Sequence, residues 1–238
     1  MALNTASSGS LFTNNGAAPP GMAGATRFTV MLWLLQNAWT GSRGIWGMGN
    51  AVEIIQYGAT DQVLFFFNTG SQYGQTPVGA VPVGGWHHVC FAFVGDSSAS
   101  PGAMGVRNLV CYVDGAQVAL IYSGNTPATI GTPSNFRILD GNTFGITANH
   151  AQAHLRGWAA DLTQREVQQE MMSYWAVRQA NLKFDFPEDD GTPVHTPSTG
   201  VIPVDYSQNI SGVPIVTDTI TQVSGPPSVT RRVPVLAI

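Results

Sequence analysis

The chain has 238 residues, 44% of them hydrophobic and only 10% charged, with a net charge of −4; typical globular chains carry about 25% charged residues. This balance supplies a sizeable core but no basic footprint for nucleic acid and no basic amphipathic helix for a membrane surface. No apolar run reaches the ~18 residues of a membrane span, and with Lys183 the only lysine the surface must be Ser, Thr, Asn, Gln and Gly or be covered by something.

Residues 1–10 lack both a cationic and an apolar segment, so no secretory signal is read there and the chain is expected to be made, and to stay, in a cytoplasm. Gly9 to Phe12 can add a short strand before Ala18-Pro19-Pro20-Gly21. Thr26 to Leu35 is a strand. Ile45-Trp46-Gly47-Met48-Gly49 is a strand punctuated by glycine, where backbone bends or packs closely. Val52 to Gln56 and Val63 to Phe67 read as a hairpin, and Tyr73 to Gly84 as a loop. Gly85 to Phe93 and Asn108 to Val113 are β-branched and aromatic runs of strand length. Asp114-Gly115 then makes a two-residue turn, since both of its positions want positive φ, and Gln117 to Tyr122 returns as a third strand. Phe136 to Leu139 alternates into a turn at Asp140-Gly141-Asn142, and Gly145 to Gly157 reads as a loop running into a strand. Short strands at regular spacing argue for a β-sandwich.

One helix is expected, from Gln164 to about Arg178. Thr163 and Glu166 have capping-box spacing, Leu162 can staple against Val167, and Val167, Met171, Tyr174 and Trp175 form one face that should dock on the sandwich rim. Beyond it the chain is Pro-rich, yet Val201-Ile202-Pro203-Val204 and Val213-Pro214-Ile215-Val216 keep apolar residues that a disordered tail does not need. Leu182 to Phe186 alternates like an edge strand. Residues 1–178 are therefore read as the core with its closing helix 164–178, and residues 179–238 as an extension that adds strands to the same sandwich and ends in an extended arm.

The sequence W-H-H-V-x-F-x-F at Trp86 to Phe93, a loop, and L-V-x-Y-V-D-G-x-x-V at Leu109 to Val118 resemble the laminin-G-like, concanavalin-A-like jelly-roll family. Phe28 to Leu34 is similar to an early core strand of that family, and Leu155 to Val167 to its closing strand and following helix. The resemblance implies an all-β, antiparallel jelly-roll sandwich with one short helix. It also implies that Trp33, Trp86, His88, Phe91 and Trp158 are structural core. The missing signal, together with an ending at Gly225 to Pro234 that is similar to P-x-V-x-x-x-R-V-x-x-P endings, resembles bacteriophage and prophage virion proteins of this fold. That implies a virion protein, capsid-decorating or tail-associated, whose partners are other virion proteins and further copies of itself. The alternative is a carbohydrate-binding module for surface glycans.

Chemistry is expected to be absent. Glycoside hydrolysis needs two carboxyls about 5–10 Å apart, whereas Glu53 stands alone on its strand and Glu188-Asp189-Asp190 lies between Pro187 and Gly191, where a solvated turn is expected. Consecutive strand residues face opposite ways, so His87 and His88 cannot share one ion. His150 and His154 have zinc spacing only on a helix, with no third ligand. Asp140 and Asn142 fall short of the six to eight oxygens calcium takes. Cys90 and Cys111 sit on neighbouring strands and can in principle pair; the missing signal favours reduced, buried thiols. No catalytic residue, metal or cofactor is assigned. Candidate glycan contacts are Trp39, Trp46, Tyr57, Tyr73 and Asn142, against the reading that most of these rings fill the sandwich.

Overall fold

The structure, a computed structural model, describes residues 2–4, 12–15, 19, 21–38, 41–49, 51–58, 60–67, 71–138, 150–186 and 221–223. The turn expected at Asp140 to Asn142, the apolar segments at 201–204 and 213–216 and the C-terminal arm lie outside these residues. Strands are β1 (Ala2–Asn4), β2 (Phe12–Asn15), β3 (Arg27–Gln36), β4 (Arg43–Met48), β5 (Val52–Tyr57), β6 (Gln62–Phe67), β7 (Gln72–Gln75) and β8 (Trp86–Val94). They continue with β9 (Leu109–Val113), β10 (Ala116–Val118), β11 (Ile121–Ser123), β12 (Asn135–Ile138) and β13 (His150–Trp158). The helix α1 (Gln164–Met171) is followed by β14 (Leu182–Phe186) and β15 (Thr221–Val223).

These strands form two antiparallel sheets. The first runs β10-β9-β8-β3-β13-β1-β15, with β14 sharing the β1 edge of β13, and the second runs β11-β7-β6-β5-β4-β12-β2. The period-2 alternation of strands decides what lies between them. Phe28, Val30, Leu32 and Leu34 of β3, with Val89, Phe91 and Phe93 of β8, face Trp46, Ile54, Phe65, Phe67 and Phe136 of the second sheet. Rings carry much of this contact: Phe65 and Phe91 stack at 5.3 Å, and Phe67 and Phe93 lie 4.9 Å apart. Each large side chain so enclosed is worth about 1.5–3 kcal/mol. Phe184 and Phe186 of β14 join the same core. Gly157, directly opposite Phe184, leaves room for that ring, which a Cβ there would meet at 2.1 Å.

Asp114 and Gly115 form the turn with φ of 52° and 75°. The Asp114 carboxylate accepts from the His88 backbone N–H at 2.8 Å and lies 2.9 Å from His87 Nδ1. The strand after the turn departs from expectation. Gln117 to Tyr122 is not one strand: β10 extends the first sheet, and β11 crosses to pair with β7 in the second. Tyr73 likewise belongs to strand β7 and not to a loop, and β13 already begins at His150.

The helix begins as its capping box requires, the Thr163 hydroxyl accepting from Glu166 N–H while the Glu166 carboxylate accepts from Thr163 N–H at 2.8 Å. It ends at Met171, well before Arg178. The reason is a buried charge cluster. Glu170 accepts the backbone N–H groups of Val177 at 3.0 Å and Arg178 at 2.6 Å, which folds the chain back after the last turn. Arg156 Nη1 donates to the Glu170 carbonyl at 3.0 Å, Nη2 donates to the Tyr174 carbonyl, and Nε donates to Asp185 at 2.9 Å. Tyr174 and Trp175 therefore follow the helix instead of extending its apolar face.

The layer so formed covers the outer face of the first sheet, not the rim. Trp33 and Trp158 are buried there, their indole N–H groups donating to the Met171 carbonyl at 3.3 Å and the Arg178 carbonyl at 2.7 Å. Of the residues expected in the core, only Phe91 lies between the sheets. Trp33, His88 and Trp158 are buried beneath the helix layer, and Trp86 on the same face is only half-buried, because it opens β8 at the edge of that cover. Gln164 and Gln168 tie the helix to the hairpin through the Gly115 carbonyl, at 3.0 and 2.9 Å.

Arg156, Glu170 and Asp185 are almost wholly enclosed. Arg156→Met should therefore lower the unfolding free energy by about 3–5 kcal/mol, since it strands two buried carboxylates. Urea titration checks this through a shifted midpoint at constant slope.

Candidate functional site

The two sheets close against each other over most of their length, but one end is polar. Gln36 follows Leu32 and Leu34 on the inner face of β3, and Gln56 follows Val52 and Ile54 on the inner face of β5. Gln152 stands opposite Leu34 across the β3–β13 ladder, and His150 opposite Gln36. The β5–β6 register puts Gln56 beside Val63 and Val52 beside Phe67, so Gln56 lies at the Leu34 end of the sandwich and away from Phe28 and Phe93.

All three glutamines are at 0% exposure, and neither the amide oxygen nor the amide nitrogen of any of them has a hydrogen-bond partner among the described residues. Leaving such a group unpaired costs about 1–3 kcal/mol, so three at one place call for a physical reason. Arg43, opposite Gln56, is half-buried, with Nη1 donating to the Ser42 carbonyl at 3.1 Å.

The rim of this end is apolar and open. Tyr57, next after Gln56, is 39% exposed and points to the outer side of the second sheet. The loop between β7 and β8 carries Val78 and Val83, 71% and 47% exposed. Gly79 and Val81 of that loop donate to the Thr60 and Asp61 carbonyls of the β5–β6 turn, and Gly84 donates to the Gln36 carbonyl. The apolar rim is thus pinned to the strands that bear two of the glutamines.

The five aromatic and amide candidates separate accordingly. Tyr57 is on this rim. Trp39 and Asn142 lie outside the described residues. Trp46 cannot serve as a surface contact: it is fully enclosed, 6.0 Å from Phe28 and 5.7 Å from Phe184. Tyr73 shares the outer face with Tyr57, but its register opposite Phe66 puts it four residues away along β6, roughly 13 Å. The glutamines were missed because glutamine is ordinarily a surface residue. The available signal was parity for two of them, Gln36 continuing Leu32 and Leu34 and Gln56 continuing Val52 and Ile54; at Gln152 a bulge between Ala153 and Arg156 breaks the alternation.

A cleft of about 210 Å³ lies on the outer face of the first sheet, lined in part by Val106, Tyr112, Asp161 and Thr163. Its carboxylate, Asp161, is held by Arg27 at 2.6 Å, and the cleft has no unpaired buried amide to fill.

Catalytic and metal chemistry find little support among the described residues. Glu53 lies between Gly47 and Phe66 across its sheet, with no second acid in register. No three His, Cys, Asp or Glu side chains gather as a metal site there. Cys90 pairs with Tyr112 beneath the helix layer, whereas Cys111 faces the inter-sheet core, so the two thiols point to opposite sides of the sheet and are free. Burial pushes both thiols up, away from nucleophilic character.

No protein-family model matches the chain, and no curated protein matches it in sequence. Solved structures do. A candidate carbohydrate-binding protein of Bacteroides ovatus superposes with a TM-score of 0.64 at 15% identity, over 95% of this chain and 62% of that one. The chain thus spans about 62% of the length of the Bacteroides protein. The heptameric SAP-like pentraxin of Limulus polyphemus follows at 0.49 and 11% identity, over 89% and 94% of the two chains. Domains LG4-5 of the mouse laminin α1 chain follow at 0.47 and 12%, over 68% and 43%. At 15% identity the likeness to the Bacteroides protein concerns the fold alone, an all-β antiparallel jelly-roll sandwich.

His88 and His154 are buried beneath the helix layer near Arg156. Burial first, and then the Arg156 charge, lowers both pKa values to about 3; for His88 the neighbouring Asp114 opposes this in part. Each is neutral in the fold yet takes a proton below about 6.5 when unfolded. Stability should therefore fall as pH drops from about 6.5 toward 3, by up to about 1.4 kcal/mol per pH unit for each histidine. Burial raises the Glu170 pKa and opposes this in part. Unfolding titrations at pH 7, 5.5 and 4.5 check the trend, which His88→Asn should flatten.

Proposed function

We propose that this chain is a non-catalytic carbohydrate-binding module. The carrying observation is the apolar rim of Tyr57, Val78 and Val83 at one end of a lectin-type sandwich. Sugar rings present an apolar face that packs on aromatic side chains while their hydroxyls take convergent polar groups, the composition of a small-molecule site. Among the described residues no second acid stands in register with Glu53, which supports binding without hydrolysis. A glycan array probed with the purified chain should give specific binding. Tyr57→Ala should weaken that binding about tenfold, or 1.4 kcal/mol, while leaving the melting temperature unchanged. A blank array at high protein concentration would overturn the reading.

A virion setting is the second reading. It is supported by a surface with few charges and by the likeness of residues 225–234 to virion-protein endings. A subunit covered by neighbours has little need of surface charge. Mass spectrometry of purified particles from cells that make this chain should find it at stoichiometric levels; its absence from the particles, with the chain free in the lysate, counts against that setting.

A further inference from the structure

The cleft on the outer face of the first sheet has chemistry that the carbohydrate-binding reading leaves unused. Its floor is apolar, with Ala92 and Val94 of β8 beside Val110 of β9, and Leu162 closes the helix side. Tyr112 follows Val110 by two and lines the cleft from one end of this floor. It is only 6% exposed, yet its hydroxyl has no hydrogen-bond partner among the described residues. Arg107, in the loop before β9, lines the other end. Asn108 pins that loop to β8, its carbonyl accepting from the Val94 N–H at 2.7 Å and its side-chain amide donating to the Val94 carbonyl at 3.3 Å.

We infer that this cleft binds a small aromatic carboxylate, with its ring on Ala92, Val94 and Val110, its carboxylate on Arg107 and a ring hydroxyl on Tyr112. Size sets the first limit. The volume of about 210 Å³ admits one ring, since a cavity of about 150 Å³ already takes benzene. Charge sets the second. Arg107 is exposed and makes no ion pair or hydrogen bond among the described residues, whereas Asp161, the carboxylate of the cleft, is spent on Arg27 at 2.6 Å. One positive charge is thus left over, on a planar guanidinium that matches a carboxylate with two parallel hydrogen bonds. The helix start adds no further donors here, because the Thr163 and Glu166 N–H groups serve the capping box. An exposed ion pair contributes little affinity, so burial of the ring drives binding and Arg107 selects the anion. A sugar ring would find few partners for its hydroxyls on this floor.

The full chain would be titrated by NMR with benzoate, 4-hydroxybenzoate, benzyl alcohol and benzylamine, following the methyl signals of Ala92, Val94, Val106 and Val110. Both acids should shift these signals, 4-hydroxybenzoate at the lower concentration, benzyl alcohol more weakly, and benzylamine not at all. Arg107→Gln should weaken the acids about fivefold, the worth of one exposed ion pair, and leave benzyl alcohol unchanged. Tyr112→Phe should abolish the preference for 4-hydroxybenzoate over benzoate. Val110→Phe, which puts a ring of its own on the floor, should bind none of the four. Unmoved methyl signals at millimolar acid overturn the inference, as does benzylamine binding as well as benzoate. Acids held unchanged by Arg107→Gln, or an unchanged preference in Tyr112→Phe, also overturn it. Should Tyr112→Phe fail to fold, Arg107→Gln, at an exposed position, still decides. The cleft lies on the first sheet and Tyr57 on the second. A silent cleft therefore leaves the carbohydrate-binding reading standing, and a blank glycan array leaves the cleft standing.

Discussion

The guanidinium of Arg156 is the point on which the outer layer of this molecule depends. It projects from the central strand β13 into a space closed by the helix, the segment after it and β14, and it binds groups from all three. Two carboxylates and two carbonyls around one cation make a buried network in which every member depends on the others. The same network turns the chain after Met171, because the Glu170 carboxylate takes backbone N–H groups that a longer helix would have used. It therefore fixes where the helix stops, how the chain returns to the sheet, and which face β14 presents to the core. The two buried histidines beside it stay neutral largely because this layer keeps water out.

With one face of the first sheet covered, the sandwich has distinct regions for distinct tasks. Aromatic rings fill the space between Phe28 and Phe93 on one sheet and Phe65 and Phe67 on the other. At the opposite end the same strands continue by two residues and present amides instead of rings. That substitution, glutamine where leucine or phenylalanine would continue the pattern, is what separates a closed sandwich from one with a polar mouth. The crossing from β10 to β11 matters too, since it sends the chain from one sheet to the other and sets β7 beside a partner on each edge.

Much of this was legible in the sequence where the signal is local. The Asp114-Gly115 turn needs positive φ at both positions, and both have it. The capping box at Thr163 and Glu166 is complete within four residues. Failures came where distant groups decide. The helix end was misread because Arg156 and Asp185, far along the chain, compete for it. Gln117 to Tyr122 keeps an apolar pattern through a change of sheet, which periodicity cannot register. Trp33, His88 and Trp158 were read as core and are buried, but parity alone cannot say that a second layer waits on the outer face. At the candidate site only Tyr57 was legible with its exposure; Trp46 looked equally suitable and lies sealed among Phe28, Phe136 and Phe184.

The pairing of β1 has a consequence for how the protein is made. Leu3 is flanked by Gln152 on one side and Gln222 on the other, partners roughly 150 and 220 residues away. At a synthesis rate of about 5–20 residues per second, residue 222 leaves the ribosome roughly 10–45 s after residue 3. The first sheet therefore cannot be completed until residue 222 has emerged. Through that interval the outer edge of β1 offers free N–H and carbonyl groups to any other strand nearby. A nascent sheet with such an edge is a natural client for chaperones, and crowding of nascent chains on one message would favour pairing between neighbours over closure within each.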